Sequence, residues 1–244
     1  MKKVILFVLA GLICGQLFAQ EPDAASKNAG NEAWKAKNFK DAFMNFEKYL
    51  ESVNFSDKAY IYNTAVAANK INNYAAAVKY FDMSVKNNYK LASSYLGKAK
   101  AEEDMKKTAD MLKTLEAGLK ALPGNDKLEN MYGNYFLKAG RDAQQANNLT
   151  KAAESYLKAT TLASSDIKVT AFSALTSLHF NNGAAILQKA TPHANTNKDL
   201  YASEKEKANG EFKSALDYAS KAQAIAPENQ DVKNLIAEIQ KAMK

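Results

Sequence analysis

Residues 39–46 read FKDAFMNF, residues 74–81 read YAAAVKYF and residues 149–156 read LTKAAESY. Each stretch has a large apolar residue, a small one three places on and an aromatic four beyond: Phe39/Ala42/Phe46, Tyr74/Ala77/Phe81 and Leu149/Ala152/Tyr156. Weaker echoes stand at Thr108/Met111/Leu115 and Phe212/Ala215/Ala219. Offsets of 3 and 7 lie along one stripe of an α-helix, so each stretch predicts an amphipathic helix whose small residue sits where a neighbour crosses closely. The leading residues are separated by 35, 34, 41 and 63 positions (74−39, 108−74, 149−108 and 212−149). Two intervals near 34 predict a repeated helix pair, the third is that period plus 7, and the fourth carries a larger insertion.

Composition agrees with a helical reading. Of 244 residues 47% are hydrophobic and 24% charged, with only 4 Pro and 10 Gly, which suits a folded chain of long helices. Residues 1–20 differ in kind. Lys2 and Lys3 precede an apolar run over residues 4–14, and Leu17-Phe18-Ala19 ends it on a small residue. This is the order of a secretory signal peptide cleaved near Gln20, and the run is short for a membrane span. The protein is therefore expected to be exported, to the periplasm or beyond the cell. Cys14, the single cysteine, follows Ile13 where a lipid-attachment signal has a small residue, so no lipid anchor is expected. Loss of Cys14 with the leader removes disulfides and thiolate chemistry. The formal charge of +7 falls to +5 once Lys2 and Lys3 leave, a mild excess that suits acidic partners and carries no nucleic-acid patch.

Along residues 21–244 the pattern divides into units at about 27–52, 59–88, 91–123, 127–164 and 169–227, followed by an amphipathic helix over 228–243 that caps the last face. Helix breaks are expected at Lys37-Asn38, Asn72-Asn73, Pro123-Gly124, Gly140 and the stretch 191–195. The seven extra residues of the fourth unit predict an elongated hairpin at 140–150, and the fifth unit predicts another over 184–211. Either hairpin is a candidate for self-association.

Small residues in first helices, aromatics opening second helices, and terminal prolines at this period resemble the tetratricopeptide repeat. The matching residues are Gly30, Phe39, Ala42 and Phe46; Ala65, Tyr74, Ala77 and Phe81; Gly97, Leu115 and Pro123; Gly133, Gly140, Ala152, Tyr156 and Ala159; Gly183, Phe212, Ala215, Ala222 and Pro227. Thr108, Met111 and Thr176 depart from the pattern. The resemblance implies an all-α, right-handed α-solenoid of about five antiparallel helix pairs, with first helices lining a concave groove and a protein-binding role. Lys27, Asn31 and Asn63 coincide with three positions of that family's carboxylate clamp. Its remaining basic pair would fall near Leu91 and Tyr95, so no clamp is expected.

No glycine-rich phosphate loop, HExxH or GxSxG occurs. His179 reads as packed or groove-facing, His193 as solvated, and neither has a carboxylate at helical spacing for a metal site. Glu102-Glu103-Asp104 reads as a solvated face. The expectation is therefore a non-enzymatic chain without catalytic residues, cofactor or metal. If the family register holds, the groove presents Lys27, Asn31, Trp34 and Lys35; Tyr62, Val66, Asn69 and Lys70; Ser94 and Lys98; Asn130, Asn134 and Lys138; and Ser173, Ser177, Phe180 and Asn181. Such a surface can hydrogen-bond an extended peptide and pair with its carboxylates. Stacking of glycan or cell-wall fragments on Trp34, Tyr62 and Phe180 is the alternative.

Overall fold

The computed structural model describes residues 22–243. The leader reading of residues 1–20, with Cys14, lies outside the described residues. Among the described residues 82% are helical, in eleven α-helices and one short 3₁₀ turn, and no strand occurs. They are α1 (Ala24–Lys35), α2 (Phe39–Ser52), α3 (Lys58–Lys70), α4 (Tyr74–Lys86), α5 (Leu91–Asp104), α6 (Thr108–Ala121), α7 (Asp126–Gln145), α8 (Leu149–Ala159), α9 (Ser165–Ala190), α10 (Lys198–Ile225) and α11 (Gln230–Ala242). No helix among them is long and apolar enough to cross a membrane.

One three-residue turn makes four of the five hairpins. It occupies 36–38, 71–73, 105–107 and 146–148. Its middle residue is left-handed at Lys37, Asn72, Lys106 and Asn147, with φ between 57° and 59°. The third residue is the N-cap of the next helix, and the side chains of Asn38, Asn73 and Asn148 accept from the backbone N–H three residues on. Asparagine tolerates the left-handed region and caps well, so INN and ANN encode both halves of the turn.

Each hairpin closes on its small-residue stripe. An ideal Cβ on Gly30 would stand 2.5 Å from Phe46 Cδ1, and one on Gly140 would stand 2.5 Å from Tyr156 Cδ1. Both glycines precede their aromatic by 16 residues (46−30 and 156−140). This corrects the expectation for the fourth unit, because Gly140 lies inside α7 and is no break. The turn at 146–148 matches its counterparts, so no elongated hairpin exists at 140–150. The seven extra residues extend α7 at its start, since two helical turns added there leave the packed stripe facing the same way. The fifth unit does have the long hairpin expected over 184–211, with α9 and α10 of 26 and 28 residues joined by a 3₁₀ turn at Thr191–His193.

Successive helices pack on one another, and α3, α5, α7 and α9 also pack side by side. The second helices meet through long side chains instead, as where the Tyr80 hydroxyl donates to Glu47 at 2.7 Å and Phe43 meets the Tyr80 ring edge-on. Elements on the inner radius of a curved stack lie closer than those outside, so first helices form the concave side. Most buried apolar residues fall into three clusters: one around Leu50, Ile61 and Phe81, one around Leu115, Leu128, Tyr156 and Leu175, and one around Phe212, Ala219 and Ile239. In the last, α11 contributes Ile239 with Ile236 and Met243 beside it, covering the end of the stack.

Candidate functional site

The concave row begins on α1, where most expected contact residues are already engaged. The Lys27 ammonium lies 4.7 Å and 4.6 Å from the ring centres of Tyr49 and Tyr60, and donates to the Tyr49 hydroxyl at 3.1 Å. That hydroxyl donates to Asp57 at 2.9 Å, and the Tyr49 bond is the largest cause of a raised Lys27 pKa. The Asn31 amide donates to the Tyr60 hydroxyl at 2.8 Å, tying α1 to α3. Trp34 packs edge-on to Phe39 at 5.4 Å and against Phe46 at 6.0 Å. Lys35 pairs with Glu32 on its own helix.

On α3 the surface opens. Tyr62 stands edge-on to Phe81 and to Tyr89, and the exposed Lys90 holds its ammonium 4.6 Å from the Tyr62 ring centre. The exposed Lys58 lies 5.9 Å from the Tyr89 ring centre. Lys70, also exposed, lies 5.9 Å from that of Phe39. Asn69 has a buried side-chain oxygen with no hydrogen-bond partner among the described residues. Lys58, Lys90 and Tyr89 flank helix starts, outside the apolar stripes at offsets of 3 and 7, so the sequence pattern does not reveal them.

The third unit departs most from expectation. A Cβ on Gly97 would meet Phe81 of the preceding unit at 2.6 Å, so Gly97 is not the residue that receives Leu115. Ala99 takes that place at the same offset of 16 (115−99), and two residues of slip turn a helix face by more than half a circle. Ser94 is accordingly buried, donating to Ser84 at 2.9 Å, and Lys98 pairs with Asp82 at 2.7 Å. Neither lies in the groove. On α7 the register shift is two whole turns, and Asn130, Asn134 and Lys138 keep exposed side chains, Lys138 pairing with Asp142.

Two smaller sites lie off this row. Glu102, expected to be solvated, is 5% exposed, and burial raises its carboxyl pKa. Only Glu103 and Asp104 of that run reach solvent, both paired with Lys100. His179 has the carboxylate partner that helical spacing did not reveal. Its Nδ1 is 2.7 Å from Glu211 on α10, 32 residues away, and its ring stacks on Tyr218. The pair lines a cavity of about 300 Å³ with Leu149, Thr150, Ala153, Leu178 and Asn182. His193 is exposed in the hairpin tip. No group of three or more metal-ligating side chains occurs among the described residues.

The chain is similar over its length to a solved TPR repeats protein from Bacteroides fragilis, with 43% identity over 92% of this chain and 100% of that one, and a TM-score of 0.88. The chain is a tetratricopeptide repeat protein. The MamA protein, 14% identical over 83% of this chain and 94% of its own, superposes with a TM-score of 0.39. A tetratricopeptide repeat protein of Thermus thermophilus, 18% identical over 89% and 98%, gives 0.32. No family model and no curated protein matches the sequence. In this tetratricopeptide repeat protein the departures at Thr108, Met111 and Thr176 are accommodated locally. Met111 is buried among the second cluster, and the buried Thr176 hydroxyl donates to the Phe172 carbonyl at 2.9 Å.

Proposed function

We propose that this tetratricopeptide repeat protein is a non-enzymatic scaffold that holds a partner protein, through an extended acidic segment, on its concave face. The observation that carries the reading is the pairing of exposed lysines with half-buried aromatic rings. Lys90 stands over Tyr62, Lys58 over Tyr89 and Lys70 over Phe39. An ammonium held against a ring keeps protons free for a carboxylate, and the ring edge offers area to an apolar neighbour. Further along, Asn130, Asn134 and Lys138 supply backbone-directed amides and another cation. Lys27, Asn31 and Trp34 serve this face as its supports. Glycan stacking is the weaker reading, because Trp34 packs on Phe39 and Phe46 and Phe180 on Phe212. The leader-like residues 1–20 support a site of action outside the cytoplasm.

The test is affinity capture from envelope fractions, with mass-spectrometric identification of what co-elutes, followed by quantitative binding. Lys70→Glu with Lys90→Glu should weaken binding about tenfold or more, since hydrogen bonds to charged groups contribute about 1.5–3 kcal/mol each, and should flatten its salt dependence. Unchanged affinity and salt slope in the folded double variant would remove the concave reading.

A further inference from the structure

Where α4 begins, α5 ends and α6 begins, Ala75, Val78, Glu102, Met105, Lys107 and Asp110 enclose a cavity of about 170 Å³. Glu102 is the unusual member. It is 5% exposed, and its Oε2 is buried without a hydrogen-bond partner among the described residues. A packed core has no use for such a group. Methionine would fill the same space, and a glutamine would carry no charge to desolvate. The second carboxylate of the lining is Asp110. The Thr114 hydroxyl and the Lys98 charge also bear on the Glu102 carboxyl, leaving Oε2 as its open acceptor, and Asp82 beyond them is already bound at 2.7 Å by both Lys86 and Lys98. Lys107 lines the cavity, yet makes no ion pair among the described residues.

We propose that this cavity is a socket for one primary alkylammonium group, the lysine side chain of a docked protein. Its ammonium supplies the donor that Glu102 Oε2 lacks and meets Asp110 with a second proton. Its methylene stem lies against Ala75, Val78 and Met105. The size fits: sites for whole small ligands run from about 300 Å³ upward, and this one takes a single side chain. The ligand chemistry fits too. Two carboxylates fall short of the six or more oxygens a calcium ion requires, and satisfy an ammonium that needs three acceptors at most. Burial raises the Glu102 pKa, and an arriving positive charge acts the other way, favouring the carboxylate. The socket opens among the hairpin turns, and it adds a contact of opposite sign to the acidic segment proposed for the concave face. A docked lysine rests on the scaffold reading; the socket itself does not.

The experiment is a titration of the full ¹⁵N-labelled chain with n-butylammonium, and with n-butanol as the uncharged control, followed by amide shifts. Butylammonium should give saturable shifts at Ala75, Val78, Met105 and Asp110, and butanol should not. Asp110→Asn, at an exposed position, should weaken the response severalfold. Glu102→Gln should weaken it about tenfold or more by removing the charged acceptor. Thermal melts of both variants check that they fold. Absence of saturable shifts in the parent chain, equal binding of butanol, or an unchanged response in a folded Glu102→Gln variant would each overturn the socket. None of these outcomes touches the concave face, whose test uses other residues and a different ligand.

Discussion

Gly140 shows what a single side chain decides. The ring of Tyr156 occupies the volume where its Cβ would be, so Gly140→Ala should overpack the fourth hairpin and destabilise the protein by about 1–3 kcal/mol in urea unfolding. Ala77→Trp, at a fully buried crossing, should do the same or worse. Tyr132 gives a pH signature. Burial, then its hydrogen bond to Glu116, pushes its pKa from 10.0 up to about 12. Below pH 10 the phenol is protonated in both folded and unfolded chains, and its contribution is fully present. As pH rises from about 10 to 12 the unfolded chain binds fewer protons than the folded one, so stability falls. Tyr132→Phe should flatten that part of the stability curve, and a late phenol in the absorbance titration should disappear with it. The aromatic stripes themselves were legible, because a period of 3.6 needs only local sequence. The use of Lys27 and Asn31 was not, since Tyr60, which engages both, lies about one repeat further on, in the next hairpin. Burial of Glu102 was hidden for the same reason: its run looks solvated until Thr114 and Asp110 are folded over it.

At the scale of elements, the recurring turn and its relatives account for much of the chain's asparagine outside the expected groove. Asn38, Asn73 and Asn148 cap helices, as do Asn125, Asn197 and Asn229 at other connections. Asn148→Ala should cost about 1 kcal/mol through loss of its cap. The third turn, Met105-Lys106-Lys107, breaks the rule at its cap: Lys106 is left-handed, as Lys37 is in the first turn, but Lys107 caps nothing with its side chain. Lys106→Gly and Lys107→Asn should therefore each stabilise the chain, by about 0.5–1 kcal/mol, as higher thermal midpoints would show. The same scale explains the misread fourth unit. A seven-residue insertion preserves which face is buried and moves only the position along the axis, so face analysis alone could not tell an extended start of α7 from an extended tip.

At the scale of the whole molecule, the solenoid's final surface depends on α11. Removing residues after 226 takes Ile239 away and should uncover Phe212, Ala215 and Ala219, lower the unfolding midpoint and raise binding of a hydrophobic dye. Upstream, the first two clusters are divided at α5, which gives Ala101 to one and Ala99 to the next. Beside the contact of Gly97 with Phe81, polar links run between them, the Ser84–Ser94 bond and the Lys98–Asp82 pair. Stretched between its two ends in an optical trap, such a chain should behave as springs in series. It should lengthen by distinct rips as each oily block yields in turn, the polar seam at α5 marking where one extension ends and the next begins.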